Sequence, residues 1–236
     1  MAIKTVFFDL DGTLLPMDQD EFVKAYFGNL AGKLSGHGYE PKELIGAIWS
    51  GTKAMVKNDG HCTNEEAFWE DFAAHYGQQV RKDEPLFEEF YKTDFQHVQK
   101  VCGFAPQAAQ TVSWLKERGI RLVLATNPIF PAIATRSRIK WAGLTPEDFV
   151  YYTTYENAHY CKPDLRYYRE ICQKLELSPE ECLMVGNDVG EDMVAKALGM
   201  QVFLLTDCLI NRQQADISCY PNGDFDALAA YLKEIL

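Results

Sequence analysis

Apolar and polar positions divide the chain into two textures. Residues 4–8 (KTVFF) form a short apolar, β-prone run that stops at Asp9, with Gly12 and Pro16 soon after. Such a run predicts a buried strand with a loop at its carboxyl end. From about 17 to 104 the repeat becomes helical. Phe22, Tyr26 and Leu30 recur every four residues, with Val23, Phe27 and Leu34 beside them. Leu44, Ile45, Ile48 and Trp49 make a second face, Phe68, Phe72 and Tyr76 a third, and Phe87, Phe90, Tyr91, Phe95 and Val98 a fourth. Gly36, Gly38, Gly60 and Gly77 mark the gaps, and Thr63-x-x-Glu66 has the form of a capping box. Four amphipathic helices are predicted. The segment holds 14 of the chain's 30 aromatics. Their helical spacing reads as the core of a small bundle more readily than as a binding lid.

Beyond 105 strands and helices alternate. The pattern predicts a helix at 106–118, a strand at 121–125, a helix at 131–142 and a strand at 149–153. There follow a helix from Pro163 to about Leu175, a short capped turn at 178–181 and a strand at 182–185. A helix at 189–198, a strand at 201–205 and a last helix at about 224–236 complete the series. Alternation of this kind predicts an α/β fold, a doubly wound parallel sheet covered on both faces. The first strand belongs to that sheet. The expected division is a core of 1–16 and 105–236, with 17–104 inserted as a helical domain.

Composition narrows the class. The chain has 236 residues, 47% hydrophobic and 24% charged, with net charge −11. These are values of an ordinary soluble globular protein, and the acidity argues against nucleic acid or an anionic membrane as partner. Seven cysteines at irregular spacing, with no C-x-x-C pair, suggest neither a disulfide framework nor structural zinc. A reducing, cytoplasmic setting is expected. The start is too short and too acidic for a signal peptide, and no apolar run approaches a membrane span.

Ligands of open parallel sheets bind outside the carboxyl ends of the strands, so the polar residues after each apolar run are the candidates. These are Asp9, Asp11, Gly12 and Thr13; Thr126 and Asn127; and Asn187, Asp188, Glu191 and Asp192, with Lys162-Pro163 before a helix. One acid at a strand end or helix start needs no explanation. Asp9, Asp11 and Asp188 on separate strand ends, with a lysine nearby, call for a cation. An all-oxygen donor set points to Mg²⁺ rather than zinc or copper. Asp9 and Asp11 alternate on extended backbone, so one carboxylate can attack phosphorus while the other handles the leaving-group proton. Gly12 lets backbone N–H groups approach a phosphoryl group. Thr126 can donate a hydroxyl to that group, and Lys162 can neutralise charge on it.

In order and spacing FFDLDGTLL (7–15), ATN (125–127), Lys162-Pro163 and VGNDVGED (185–192) resemble the four motifs of the haloacid dehalogenase (HAD) superfamily. The resemblance implies a Rossmann-like core with a cap between the first and second motifs. It implies Asp9 as nucleophile and Mg²⁺ ligand, and Asp11 as general acid/base with its backbone carbonyl on the metal. Thr126 and Lys162 would bind the phosphoryl group, with Gly12, Thr13 and Asn127 beside it. Asp188 would ligate Mg²⁺, and Asp192 would support it or ligate through water, with Glu191 as second choice. Members that cleave carbon–halogen bonds lack the second aspartate, so Asp11 points to phosphoryl transfer. The expected function is a Mg²⁺-dependent phosphomonoester hydrolase for a small phosphorylated metabolite, working through an aspartyl-phosphate and compatible with a monomer. A sugar phosphomutase and a non-catalytic binding protein of this fold are the alternatives. Leu15-Pro16-Met17-Asp18 and Pro128 depart from the common pattern, which leaves the substrate subclass open. Neither a G-x-x-x-x-G-K nor a G-x-G-x-x-G loop is present, so neither ATP nor NAD is implied. His159-x-Cys161 reads as incidental, and Arg136 and Arg138 as exposed basic residues on a helix face. Among Lys33, His37, Lys53, Lys57 and His61 no leaving-group reader stands out.

Overall fold

The computed structural model describes residues 2–236. Among them six strands form one parallel sheet in the order β3-β2-β1-β4-β5-β6. They are β1 (Thr5–Phe8), β2 (Arg121–Leu124), β3 (Tyr151–Tyr152), β4 (Cys182–Gly186), β5 (Gln201–Leu205) and β6 (Asn222–Gly223). This is the doubly wound order, with β1 at the centre. Burial on both faces explains the unbroken apolar runs. Successive side chains take opposite faces: Val6, Phe8, Leu122, Leu124, Leu183 and Val185 join one core. Phe7, Val123 and Met184 join another, with Tyr167 and Ile171 of a helix at Leu165–Lys174. Pairing sets Phe8 opposite both Leu124 and Val185. The residues after those three strands therefore emerge at one level.

Between β1 and β2 the described residues form helices. These are α1 (Gln19–Ser35), α2 (Pro41–Val56), α3 (Asn64–Tyr76), α4 (Glu84–Lys92) and α5 (Pro106–Glu117). The chain leaves and returns side by side: Met17 bridges Cys102, and Gly103 N donates to Pro16 O. Leu30, Leu44, Phe72 and Phe90 extend the sheet-face core into this segment. The Thr63–Glu66 capping box starts α3 as expected. The fourth predicted helix is instead two pieces. α4 stops at Thr93, whose hydroxyl donates to Glu89 O, and a 3-10 segment at Asp94–Val101 carries Phe95 and Val98 on.

The remaining helices are α6 (Ala132–Trp141), α7 (Leu165–Lys174) and α8 (Phe225–Ile235). Three expectations change here. The helix expected from 189 starts at Met193 and is 3-10, because Asp188 Oδ1 turns the chain by accepting from Gly190 N and Glu191 N. The turn at Pro179–Glu181 forms without a side-chain cap from Ser178, its closure coming from Glu181 N on Ser178 O. The strand expected at 149–153 narrows to Tyr151–Tyr152, with Val150 N and Thr153 N donating to Leu122 O and Leu124 O of β2, and β6, lacking any apolar run, gives no sequence signal. No described helix is long and apolar enough to cross a membrane.

Candidate active site

The carboxyl edge of β1, β2 and β4 gathers the polar residues. Asp9 follows β1, with its N–H on Val185 O and its carboxylate nearly buried. Its Oδ1 accepts from Lys162 Nζ at 2.9 Å and its Oδ2 from Thr13 Oγ1 at 3.3 Å. The single Thr13 hydroxyl hydrogen is shared with Asn187 Oδ1 at 3.0 Å, tying β1's loop to β4's. Gly12 makes that loop possible. Its φ is +85°, and a Cβ there would stand 2.3 Å from Asn187 Nδ2.

Lys162 is buried, on a cis Lys162–Pro163 peptide, between two acids. Its Nζ donates to Asp192 Oδ1 at 2.6 Å as well as to Asp9. Burial pulls the ammonium's pKa down, but Asp192 and Asp9 more than offset this and hold it well above the usual lysine value. Asp192 spends its other oxygen on Asp188 N at 3.0 Å. It reaches this place only because residue 186 is glycine, since a Cβ there would lie 2.1 Å from Asp192 Oδ2. Burial pushes the Asp192 carboxyl up to about 6, against Lys162, which lowers it. Glu191 is pushed up to about 7, by burial first; Lys162 opposes and its neighbours Asp192, Asp188 and Asp9 add. Asn127 accepts from Lys162 N through Oδ1 and donates to Glu191 Oε2 through Nδ2. Thr126 is buried, its carbonyl accepting from Thr153 Oγ1 at 2.6 Å and Tyr167 Oη at 2.9 Å.

Arg138 overturns its expected place. It is fully buried rather than exposed, and its guanidinium pairs with Asp11 Oδ2 while lying 4.5 Å from the centre of the Phe130 ring. Arg136 is exposed, as expected. The missed signal was periodicity: Arg138 falls three and four residues after the buried Thr135 and Ala134, on the inward face of α6. Burial pushes the Asp11 carboxyl up to about 6; Arg138 opposes this and Asp9 reinforces it. His159 pairs with Glu170 at 2.5 Å, and Cys161 is buried near Asn64 Nδ2.

The edge therefore sets five carboxylates (Asp9, Asp11, Asp188, Glu191, Asp192) against two buried cations, Lys162 and Arg138. Asp11 Oδ1 is buried with no hydrogen-bond partner. As the side chains stand, no three His, Cys, Asp or Glu among the described residues form a ready ligand cage. The donor set, all oxygen and in excess of the local positive charge, still suits a hard divalent cation. A cavity of about 190 Å³ opens from this edge towards α1–α4.

Comparisons with known proteins agree with this architecture. Residues 3–199 match the family model of haloacid dehalogenase-like hydrolases. A phosphoglycolate phosphatase of Nitrosospira multiformis is 27% identical over 206 residues, 86% of this chain and 83% of that protein. Two solved structures share the fold over nearly the whole length. A 2-haloacid dehalogenase of Pseudomonas syringae is 19% identical with a TM-score of 0.65, covering 98% of this chain and 99% of that one. The hydrolase YfnB of Bacillus subtilis, described as bound to magnesium, is 15% identical with a TM-score of 0.56, covering 98% and 99%. Matched by the family model from the first strand through the last of its four motifs, the chain belongs to the haloacid dehalogenase-like hydrolases.

Proposed function

We propose that the chain is a Mg²⁺-dependent phosphomonoester hydrolase that works through a phosphoryl group on Asp9. The observation that carries this reading is the pairing of Asp9 with buried Lys162 two residues from a separately held Asp11. Lys162 and Thr13 aim Asp9 across the edge, and Asp9 attacks phosphorus in line with the ester oxygen. The phosphorus–ester oxygen bond breaks as Asp11 protonates that oxygen. Asp11, now a carboxylate, takes a proton from water, which attacks phosphorus and breaks the bond to Asp9. Phosphate leaves and Asp9 is regenerated. A pKa of about 6 lets Asp11 serve as acid and base near neutrality. Asp9, Asp188 and the Asp11 backbone carbonyl would hold Mg²⁺, with Asp192 and Lys162 fixing the edge. The ion when bound offsets repulsion between the acidic edge and an anionic substrate. The Thr126 hydroxyl and Asn127 complete the phosphoryl cradle beside Gly12, whose own N–H is spent on Leu15 O and whose missing side chain leaves room for the group, and residues 17–104 act as the cap that shields it from water.

A dehalogenase does not need a proton donor two residues after the nucleophile, so Asp11 favours the phosphatase. The test is release of inorganic phosphate from an aryl phosphate with Mg²⁺, with EDTA, and by Asp9→Asn. Metal-dependent release lost in Asp9→Asn is expected, as is a phosphoryl mass shift on the Asp9 peptide. A phosphoryl group trapped on another residue would overturn the assignment.

A further inference from the structure

The leaving group would lie in the part of the cavity away from the acidic edge, and that part has a distinctive chemistry. Phe22 and Phe27 of α1, Ile48 and Trp49 of α2, Phe68 of α3 and Phe130 line it. Several of its polar atoms are already engaged. Tyr26 and Tyr91 hydroxyls bond at 3.0 Å, and Thr52 Oγ1 donates to Ile48 O at 2.9 Å. Lys33, His37, Lys53, Lys57 and His61 do not line it; Lys33, for one, is paired with Asp94 at 3.0 Å. Arg212 is the cation that reaches the cavity, and it does so from an exposed loop anchored to the acidic edge by Ile210 N on Asn187 O. An anionic leaving group seated against α1–α4 would lose its water and find no positive charge, which is costly. An apolar one would gain buried area and lose nothing. Trp49 is 51% exposed and packs on Phe27 with ring centres 5.3 Å apart, so a large ring stands open where an apolar ligand would cover it. The aromatics thus form the core of the helical segment and, on one side, the wall of the cavity.

Resting on the phosphatase reading, we infer that the ester this site cleaves carries an uncharged, largely apolar leaving group, a single ring or short hydrocarbon chain. The phosphoglycolate named for the Nitrosospira relative has a carboxylate on its leaving group, and no cation on α1–α4 answers it, Arg212 reaching the cavity from its exposed loop instead.

The experiment compares kcat/KM of the full chain with Mg²⁺ for benzyl phosphate, butyl phosphate and 2-phosphoglycolate, with acetyl phosphate as a small donor that needs no such wall. All three esters release an alkyl alcohol by the same protonation, so differences report the wall. Benzyl and butyl phosphate are expected to exceed phosphoglycolate by about 100-fold or more. Thr52→Lys, which sets a cation on the wall, is expected to shift the benzyl-to-phosphoglycolate ratio at least 30-fold towards phosphoglycolate. That ratio does not depend on the fraction of protein folded. Phosphoglycolate turned over as well as benzyl phosphate by the unmodified chain would overturn the inference while leaving the phosphatase reading intact. No phosphate release from acetyl phosphate would remove that reading, and the inference with it.

Discussion

At Arg138 a single guanidinium holds the proposed proton donor in place. It is buried and pairs with Asp11. Breaking a buried pair by removing one partner costs roughly 3–5 kcal/mol. Arg138→Met is therefore expected to lower thermal stability clearly, and Asp11→Asn in the same protein to restore part of it. In turnover, Arg138→Met should slow alkyl phosphates, whose oxygen must be protonated, far more than aryl phosphates, which leave readily without help. Steady-state kinetics on both substrates checks this. Glu191 supplies a pH signature. Burial raises its pKa from 4.5 to about 7, so between those values the folded chain holds a proton that the unfolded chain has lost. Without metal, stability should fall as pH rises from about 4.5 to 7. At about 1.4 kcal/mol per pKa unit the penalty is on the order of 3 kcal/mol. Glu191→Gln keeps the acceptor for Asn127 Nδ2 and removes the charge. Thermal melts in EDTA should show it stabilised above pH 7 and indistinguishable from the unmodified chain below pH 4.

Among elements, β4 and the turn after it show how a strand end sets a charge. Gly186 closes β4, and the absence of its Cβ is what admits Asp192 to Lys162. Gly186→Ala should displace Asp192, lower the melting temperature by several degrees and reduce phosphate release more than tenfold, read by calorimetry and a phosphate assay. The strands were legible because both faces of the central ones are buried, which leaves apolar runs such as Val6-Phe7-Phe8 without polar interruption. The helical segment was legible for the converse reason, one buried stripe per helix. Legibility failed where side chains compete with the backbone. The Asp188 carboxylate takes two N–H groups and delays a helix, and the Thr93 hydroxyl ends another. Neither event changes the spacing of apolar residues, so periodicity misses both.

Over the whole molecule the acidic edge is a local excess of negative charge within an already acidic chain. A cation bound only by the folded state stabilises it by mass action. Mg²⁺ is expected to raise the melting temperature over the EDTA value, and the increment should vanish when Asp9 and Asp188 are both changed to Asn. Calorimetry at fixed ionic strength checks this. The chain's order of strands and helices, β6 and the break after α4 aside, and the acids that end its strands, were written in the sequence alone, because burial on one or two faces imposes a period that neighbouring residues display. The family resemblance rests on those same local runs. Lys162 between Asp9 and Asp192, Arg138 beneath Asp11 and the apolar wall facing both were decided only by the tertiary structure. They join residues up to 153 positions apart, and their chemistry depends on which helix face turns inward and what lies opposite. Period within one element specifies that a face is buried, but not the partner it is buried against.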